Sequence, residues 1–438
     1  MKITIIFAKF PFSERTPVVP PILEYLGALT LCADPAVEVE LIDANQTSID
    51  ISMLDTDLVA ISAMTVSAPW AYSFADICRR RGLPVVIGGI HPTALPEEAS
   101  GHADSVVIGE AESVWAEVIA DARSKRLKPI YVGRRLPLDG LPMPIDGALK
   151  GDYRFRAFFT MRGCPHTCTF CSVRRYYGET VRYRPVREVA AEVEARAGRI
   201  WFNGDDSIWA GEPDRNIELF NELSLGSKKH WFGFGDLKNV QGPKGKDVLA
   251  SARKSGLFSV MVGWEAGSFD ILRGFNAFNK QGEDRVEAIK RIQDHGIYVI
   301  LFVILGTRQD SIDTFKETLE LADKLNIGVH PFLLMPLPGT ELFEEYRPYL
   351  LPQLGWDDFT GTRALFSHPD PGMTPDKREE EYHRLRTELF STKRILKRIS
   401  DIPLSGFPST HLLSFLKDFP MRRQIRNAYR EWKAYTGR

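Results

Sequence analysis

The feature that most constrains the fold is a repeated alternation of short apolar runs with segments of helical spacing. In the first third of the chain the apolar runs lie at residues 2–8, 38–44, 57–63, 84–89 and 105–110. Strands that are apolar on both faces and alternate with helices form a parallel sheet covered on both sides. Residues 1–127 are therefore predicted to form an α/β, doubly wound (Rossmann-like) domain, with its ligand site beyond the carboxyl ends of the strands.

A second alternation begins after a segment rich in proline and glycine, residues 128–152, which we interpret as a linker. Residues 153–345 contain six further β-rich runs, at 155–161, 199–204, 230–236, 259–265, 298–306 and 329–336. Six strand–helix repeats are two short of a full barrel, so we expect an open, partial (β/α)6 barrel with its active site at the carboxyl ends of the strands. Residues 346–438 are predicted to be a loop followed by two amphipathic helices, near 375–400 and 409–433.

The composition limits the kinds of partner and the cellular compartment that we expect for this protein. Lysine plus arginine (56) nearly balances aspartate plus glutamate (57), so no basic field predicts nucleic-acid binding. The longest apolar run, residues 296–306, is too short for a transmembrane segment and fits a buried strand. The first residues predict a strand rather than a secretion signal, so we expect a cytoplasmic protein with reduced cysteines.

Three of the five cysteines lie in the stretch MRGCPHTCTFCSV, at Cys164, Cys168 and Cys171. A closed zinc site normally needs a fourth thiolate or imidazole, and an odd number does not suit disulfides. Cys32 and Cys78 lie on apolar helix faces and are predicted to be buried. Thiolates also hold iron–sulfur clusters, and a cubane held by only three leaves one iron open for a non-protein ligand.

This stretch, directly after the first strand of a partial barrel, resembles the radical S-adenosylmethionine (radical SAM) superfamily. The resemblance implies that Cys164, Cys168 and Cys171 hold a [4Fe-4S] cluster and that Phe170 packs near the adenine of SAM. It also implies that an electron from the cluster cleaves SAM to methionine and a 5′-deoxyadenosyl radical, which abstracts a hydrogen atom from the substrate. The protein would supply orientation and exclude water.

Two later segments also resemble the superfamily. NGDDS ends the second strand of the predicted barrel, and GWEAGS ends the fourth. The resemblance implies that Asp205 and Asp206 hold the SAM amine and that Glu265 contacts its ribose or amine. Carboxylates suit an ammonium group.

In the N-terminal domain, IGGIHPTALPEEA and VVIGEAESVW resemble the cobalamin-binding domain fused to one large class of radical SAM enzymes, the class B methyltransferase-like enzymes. The resemblance implies that Gly88, Gly89, His91, Gly109 and Glu110 contact cobalamin. Small residues let a backbone approach a ligand closely. The chain has no Asp-x-His-x-x-Gly sequence after an N-terminal strand, so no histidine is expected to ligate cobalt from below.

Two enzymatic reactions remain open from the sequence. The favoured one is cobalamin-dependent methylation of an unactivated carbon in a biosynthetic small molecule, with an electron donor of the flavodoxin or ferredoxin type. The alternative is a cobalamin-independent dehydration or rearrangement, for example diol dehydration of an aminoglycoside-type sugar, with Asp236 or His230 as the acid–base group. A non-catalytic cobalamin carrier or electron-transfer protein is disfavoured, because a carrier needs no barrel and an electron carrier normally closes its cluster with four ligands.

Overall fold

The N-terminal domain contains the first of two six-stranded parallel sheets in the described residues. The structure is a computed structural model and describes residues 1–11, 17–277, 285–400 and 408–436. The strands of this sheet are β1 Lys2–Phe7, β2 Glu38–Asp43, β3 Leu58–Ser62, β4 Val85–Gly88, β5 Ser105–Ile108 and β6 Ile130–Val132. The order is β2-β1-β3-β4-β5-β6, with every pair parallel. The helices of the domain are α1 Pro21–Ala33, α2 Ala68–Arg80, α3 Ile90–Ala94, α4 Pro96–Ser100 and α5 Trp115–Arg123.

Apolar side chains on both faces of this sheet explain its position between helices. Along β3, Val59 and Ile61 join the buried cluster that includes α2, while Leu58 and Ala60 join the cluster that includes α1 and α5. Successive side chains of a strand point to opposite faces, so a run that is apolar throughout buries both. The doubly wound domain is confirmed.

The predicted linker is wrong at its start. Ile130–Val132 pairs in parallel with β5 as the sixth strand of the sheet. Its end residues, Ile130 and Val132, are exposed, as expected for a short strand at a sheet edge. The sheet therefore extends to Val132.

The second sheet forms the predicted partial barrel. Its strands are β7 Arg156–Phe158, β10 Ile200–Asn203, β11 His230–Gly235, β12 Leu257–Glu265, β13 Tyr298–Leu305 and β14 Gly328–Leu333. All are parallel, in the order β14-β13-β12-β11-β10-β7, and in the described residues β7 and β14 do not pair with each other. A short antiparallel hairpin, β8 Met161–Arg162 with β9 Arg182–Tyr183, leaves the sheet after β7.

Helices alternate with the strands of this barrel. They are α6 Ser172–Tyr177, α7 Val186–Ala195, α8 Pro213–Leu225, α9 Lys238–Gln241, α10 Gly245–Lys254, α11 Phe269–Gly274, α12 Arg285–Asp294, α13 Asp313–Leu325 and α14 Glu341–Tyr346. Of these, α7, α8, α9, α10, α12 and α13 cover the outer face of the barrel. Outward-facing residues such as Trp201, Trp231 and Val260 are fully buried beneath them.

The described residues of the C-terminal region form three helices where the sequence predicted two. They are α15 Pro375–Leu389, α16 Thr392–Ser400 and α17 Pro408–Thr436. Helix α15 begins at Pro375, where the Thr374 hydroxyl accepts a hydrogen bond from the backbone N–H of Lys377. Leu385, Leu389 and Ile425 join the core of the barrel, so this region is part of the same body. In the described part of the chain, none of the helices combines the length and apolar character that crossing a membrane requires.

Candidate active site

The three clustered cysteines lie on one loop at the carboxyl end of the barrel, between β8 and α6. The backbone N–H of Cys171 donates to the carbonyl of Cys168 (3.2 Å), which curls the loop. Burial raises the pKa of the Cys164 and Cys171 thiols to about 12, and neighbouring negative groups add to this effect. Without a metal these thiols are therefore neutral, and metal coordination would be needed to hold them as thiolates.

The donor set suits a cluster rather than a single ion. In the described residues no three His, Cys, Asp or Glu side chains converge on one metal position. A cluster that takes one thiolate per iron does not require such convergence, so the three cysteines fit a [4Fe-4S] cluster. Cys78 is buried as predicted, whereas the prediction for Cys32 is wrong because its side chain is exposed.

The two aspartates after β10 have different environments. Asp205 is buried and accepts hydrogen bonds from the Thr160 N–H and hydroxyl (both 2.6 Å) and the Met161 N–H (3.1 Å). Its oxygens therefore hold the start of the cysteine loop. Burial, reinforced by the charge of Asp205, raises the pKa of Asp206 to about 7, although the Gly163 amide opposes the shift. Because the oxygens of Asp205 already accept from Thr160 and Met161, Asp206 is the better placed of the two to meet an ammonium group.

Glu265 ends β12 in a strained conformation. Its φ is +61°, in the left-handed region that non-glycine residues rarely adopt, and the pairing with β13 shifts register there. Arg285 holds the backbone on both sides: it donates to the carbonyls of Trp264 (2.6 Å) and Ala266 (3.3 Å). Its guanidinium carbon also lies 3.4 Å from the Trp264 ring centroid. Strain that is held this firmly is typical of functional positions.

Phe170 connects the cysteine loop to the loop that follows Glu265. Its ring packs edge-on against Phe275 (5.2 Å), in an apolar cluster that includes Ala266. The neighbouring Thr169 N–H donates to the Phe275 carbonyl (2.9 Å). The structure therefore brings together three of the predicted segments: the cysteine loop, the aspartates and Glu265.

Asp236 lies at the same end of the barrel but is fully occupied. Burial would raise the pKa of Asp236, yet the His166 ring, whose nitrogen lies 3.9 Å from the carboxylate, and the hydrogen bond from Ser207 outweigh this effect and hold the pKa below its usual range. Its oxygens accept from the Ser207 hydroxyl and the Lys238 N–H. A carboxylate that stays ionised is a poor acid for protonating a leaving group.

The prediction that His230 serves as an acid–base group is wrong on position. His230 is the first residue of β11 and pairs with Ile200, the first residue of β10. The cysteine loop lies at the opposite edge, about 20 Å away along the strand. Burial and the surrounding cations Lys228, Arg253 and Arg199 lower the pKa of His230.

A cavity of about 210 Å³ lies at the carboxyl edge of the first sheet. Gly88, Gly89, Gly109 and Glu110 line it, with mostly apolar neighbours such as Phe7, Leu26 and Leu29. Its opposite wall comes from the barrel domain, through Arg162, Tyr176 and Tyr177. Glycine backbone and apolar side chains at this edge fit a large cofactor ring, and no histidine is among the residues that line the cavity.

The presence of Gly89 and of His91 is explained by packing within the first domain. Gly89 has φ +111°, and a Cβ there would lie 2.5 Å from the carbonyl oxygen of Ala63, so the packing of β3 itself requires glycine. His91 is fully buried and does not line the cavity; its ring nitrogens contact Thr65 (3.4 Å) and Glu98 (3.3 Å). Burial lowers its pKa. The His91 side chain therefore packs within the first domain, and a contact of His91 with cobalamin stays a prediction.

Glu110 joins the two domains through a buried ion-pair network. It accepts from Arg162 (2.8 Å) and from two nitrogens of Arg182, both on the β8–β9 hairpin. Arg162 also contacts Glu112 (2.6 Å). Since Arg162 lies two residues before Cys164, this network ties the cavity to the cysteine loop.

Sequence reasoning missed Arg162, Arg182, Arg285, Tyr176 and Tyr177. A signal existed for Arg162, which lies inside the stretch that contains the cysteines. The partners of Arg285, Trp264 and Ala266, are about twenty residues away in sequence, and no local pattern announces them.

Comparison with known proteins identifies the family to which the chain belongs. Residues 158–322 match the model of the radical SAM superfamily, and residues 25–119 match the B12 binding domain. Bacteriochlorophyllide d C-12(1)-methyltransferase of Chlorobaculum tepidum is 30% identical over 364 residues, covering 80% of this chain and 78% of that protein. Bacteriochlorophyllide d C-8(2)-methyltransferase of the same organism is 28% identical over 433 residues, covering 90% and 94%.

Solved structures show the same two-domain fold. The radical SAM methyltransferase TsrM from Kitasatospora setae superposes with a TM-score of 0.68 at 15% identity, covering 98% of this chain and 99% of that one. The cobalamin-dependent enzyme OxsB gives 0.69 at 14% identity, covering 100% and 81%. The chain therefore belongs to the cobalamin-binding radical SAM methyltransferase family, an enzyme family whose cofactors are SAM, a [4Fe-4S] cluster and cobalamin.

Proposed function

We propose that this enzyme transfers a methyl group from SAM to an unactivated carbon of a biosynthetic small molecule, with reductive cleavage of SAM at the cluster. The observation that carries the proposal is the shared wall of the two cofactor regions. Arg162, two residues before Cys164, and Tyr177, six residues after Cys171, line the same cavity as Gly88 and Gly109. A methyl carrier and a radical source are useful together only where one substrate can reach both.

The residues predicted to hold the cluster and SAM each have a proposed task. Cys164, Cys168 and Cys171 hold the cluster, while Phe170, Asp206 and Glu265 orient SAM. Asp205 fixes the loop from behind through Thr160 and Met161. When bound, the cluster, SAM and cobalamin supply the electron, the radical and the methyl carrier. A flavodoxin- or ferredoxin-type protein is the proposed electron donor.

The geometry supports methyl transfer over dehydration. A dehydratase needs a group that can protonate a departing hydroxyl near the radical. Asp236 is held ionised by His166 and Ser207, and His230 lies at the far edge of the sheet. Neither candidate meets the requirement.

Anaerobic protein, reconstituted with iron, sulfide and hydroxocobalamin and given reductant and SAM with a deuterated methyl group, tests the proposal. We expect 5′-deoxyadenosine, retained corrinoid absorbance and, with the true acceptor, a product that carries the label. Retention of the cluster without any corrinoid would turn the assignment towards the dehydratase.

Two cysteine variants test the ligand assignment. Cys168→Ala is expected to lose the cluster absorbance and all cleavage of SAM. Cys32→Ala is the matched control, because Cys32 is exposed and far from the motif in sequence. Cleavage that persists in Cys168→Ala would contradict the assignment.

A further inference from the structure

A cleft of about 450 Å³ lies at the amino edge of the second sheet, away from the cysteine loop. It opens between the end of α8, the segment before β11 and the turn that joins α10 to β12. We call it the basic cleft, because the residues that line it include Lys228, Lys229, His230, Arg253 and Lys254. Within the part of the chain that the structure describes, no acidic residue lines it. Positive charge is therefore concentrated here, in a chain whose formal net charge is only −1.

The backbone around the basic cleft is tightly packed. Gly256 has φ +106°, and a Cβ there would lie 2.0 Å from the carbonyl oxygen of Lys229. The Trp231 N–H donates to the Gly256 carbonyl (3.1 Å), which joins the two segments that carry the basic residues. The Nζ of Lys229 donates to the Arg196 carbonyl (3.2 Å). The fold itself therefore brings the basic residues together.

Burial and repulsion both act on the groups of the cleft. Burial lowers the pKa of His230, and the neighbouring cations Lys228, Arg253 and Arg199 lower it further. Burial also lowers the pKa of Arg253. The Nδ1 atom of His230 is buried and meets no hydrogen-bond partner among the described residues. A bound anion would oppose the repulsion between these groups and accept hydrogen bonds from them.

The carboxylate beside the cleft is occupied by the backbone. Glu194 accepts hydrogen bonds from the N–H and the hydroxyl of Ser227 (both 2.8 Å). These two bonds, with help from the charge of Lys229, hold the pKa of Glu194 below its usual range. Glu194 therefore fixes the segment before β11 in addition to facing one of the cations.

Helix ends explain only part of the cluster. Arg253 and Lys254 lie in the last turn of α10, where cations interact favourably with the free carbonyls of a helix. Lys228 and Lys229 lie between α8 and β11, outside any helix. An anion held in the cleft accounts for both pairs.

We propose that the basic cleft binds a small molecule through a dianionic phosphate monoester group. Lysine and arginine form charge-assisted hydrogen bonds with phosphate oxygens. The cleft is larger than one phosphate group, so it also has room for part of the molecule that carries the phosphate. The cysteine loop is about 20 Å away along β11, so this ligand is not the methyl acceptor. The proposal does not rest on the proposed function.

Isothermal titration calorimetry with methyl phosphate tests the proposal, on protein that carries its cluster and cobalamin. At about pH 8 and constant ionic strength, methyl phosphate is a dianion. We expect saturable binding, weakened roughly tenfold in Lys228→Gln/Lys254→Gln. Both lysines are exposed, so the variant should fold. Lys246→Gln/Lys316→Gln is the matched control, because it removes the same charge from exposed positions outside the cleft.

Two further measurements sharpen the assignment. Dimethyl phosphate, a phosphodiester with a single charge, should bind roughly tenfold more weakly than methyl phosphate. The pKa of His230 can be followed by NMR of protein with isotope-labelled histidine, its signal assigned with His230→Gln. Methyl phosphate should raise this pKa, because the dianion opposes the repulsion from Lys228, Arg253 and Arg199.

No saturable binding of methyl phosphate, or equal losses in the two double variants, would overturn the proposal. Equal affinity for dimethyl phosphate would overturn the assignment to a phosphate monoester. An unchanged pKa of His230 at saturating methyl phosphate would place the probe elsewhere and would also defeat the proposal. Binding of methyl phosphate by a protein that transfers no methyl group would support the cleft and leave only the proposed function in error.

Discussion

At the residue scale, substitutions of the strained Glu265 are expected to change stability and SAM binding in different ways. A left-handed φ costs a non-glycine residue about 1 kcal/mol, and glycine removes that cost. We expect Glu265→Gly to leave the free energy of unfolding of the cofactor-free protein unchanged or raise it by about 1 kcal/mol. The same variant should raise the KM for SAM by roughly tenfold or more, because a charged hydrogen-bond acceptor is lost. Urea unfolding and SAM cleavage assays measure the two effects.

Glu265→Gln is the matched control for that prediction. It removes the charge but keeps the φ of +61°. We expect the same rise in KM with no gain in stability. If Glu265→Gly proved much less stable than Glu265→Gln, the strain argument would fail.

At the scale of single elements, the β8–β9 hairpin depends on one buried carboxylate. Glu110 is 3% exposed and meets Arg162 and Arg182, so Glu110→Gln would remove a carboxylate from two mostly buried guanidinium groups, of which only Arg162 keeps a second one, Glu112. Removing one partner of a buried pair costs about 3–5 kcal/mol. The exposed pair Glu117–Lys128 offers a control, since Glu117→Gln should leave the free energy of unfolding nearly unchanged. Equal effects of the two variants on urea unfolding would show that the network adds no stability.

The junction of α15 with α17 gives the protein an acid-sensitive element. His383 is buried, its ring stacks on Tyr429 (5.6 Å), and burial with help from Arg386 lowers its pKa to about 4. In the unfolded chain His383 binds a proton near pH 6.5, whereas in the folded protein it binds one only near pH 4. Stability from this group is therefore present above pH 6.5 and lost as the pH falls towards 4, by up to about 3 kcal/mol.

His383→Phe checks the prediction, because phenylalanine keeps an aromatic ring against Tyr429 and cannot titrate. Thermal unfolding between pH 7 and pH 4 should show a shallower loss of stability than in the wild-type protein. Parallel curves for the two proteins would exclude His383 as the source.

The strands show which elements a sequence can reveal. The β-strands buried on both faces appear as continuous apolar runs, and their positions were predictable for that reason. Strand β6 has three residues, two of them exposed, in a proline-rich segment, so it lacks that pattern. The position of His230 was predictable in principle: strands that run parallel to β7 must begin at the edge away from the cysteines.

At the scale of the whole molecule, the site depends on contacts that the sequence does not announce. Most of the site prediction rested on the three cysteines, because their spacing along the chain can be read directly from the sequence. The ion pairs of Glu110 and Glu24 link residues 52 or more apart in sequence, and charge patterns at that distance predict nothing.

The same long-range pairs should make the two domains unfold together. Glu24 on α1 is 1% exposed and accepts hydrogen bonds from Arg156 (3.3 Å) and Arg196, both of the barrel domain. Glu110 forms the second buried link. We expect one cooperative calorimetric transition for the cofactor-free wild-type protein, and two for the double variant Glu24→Gln/Glu110→Gln, because each domain keeps its own core. Glu117→Gln should leave one transition. A double variant that melts in a single, merely lowered transition would show that apolar contacts alone couple the domains.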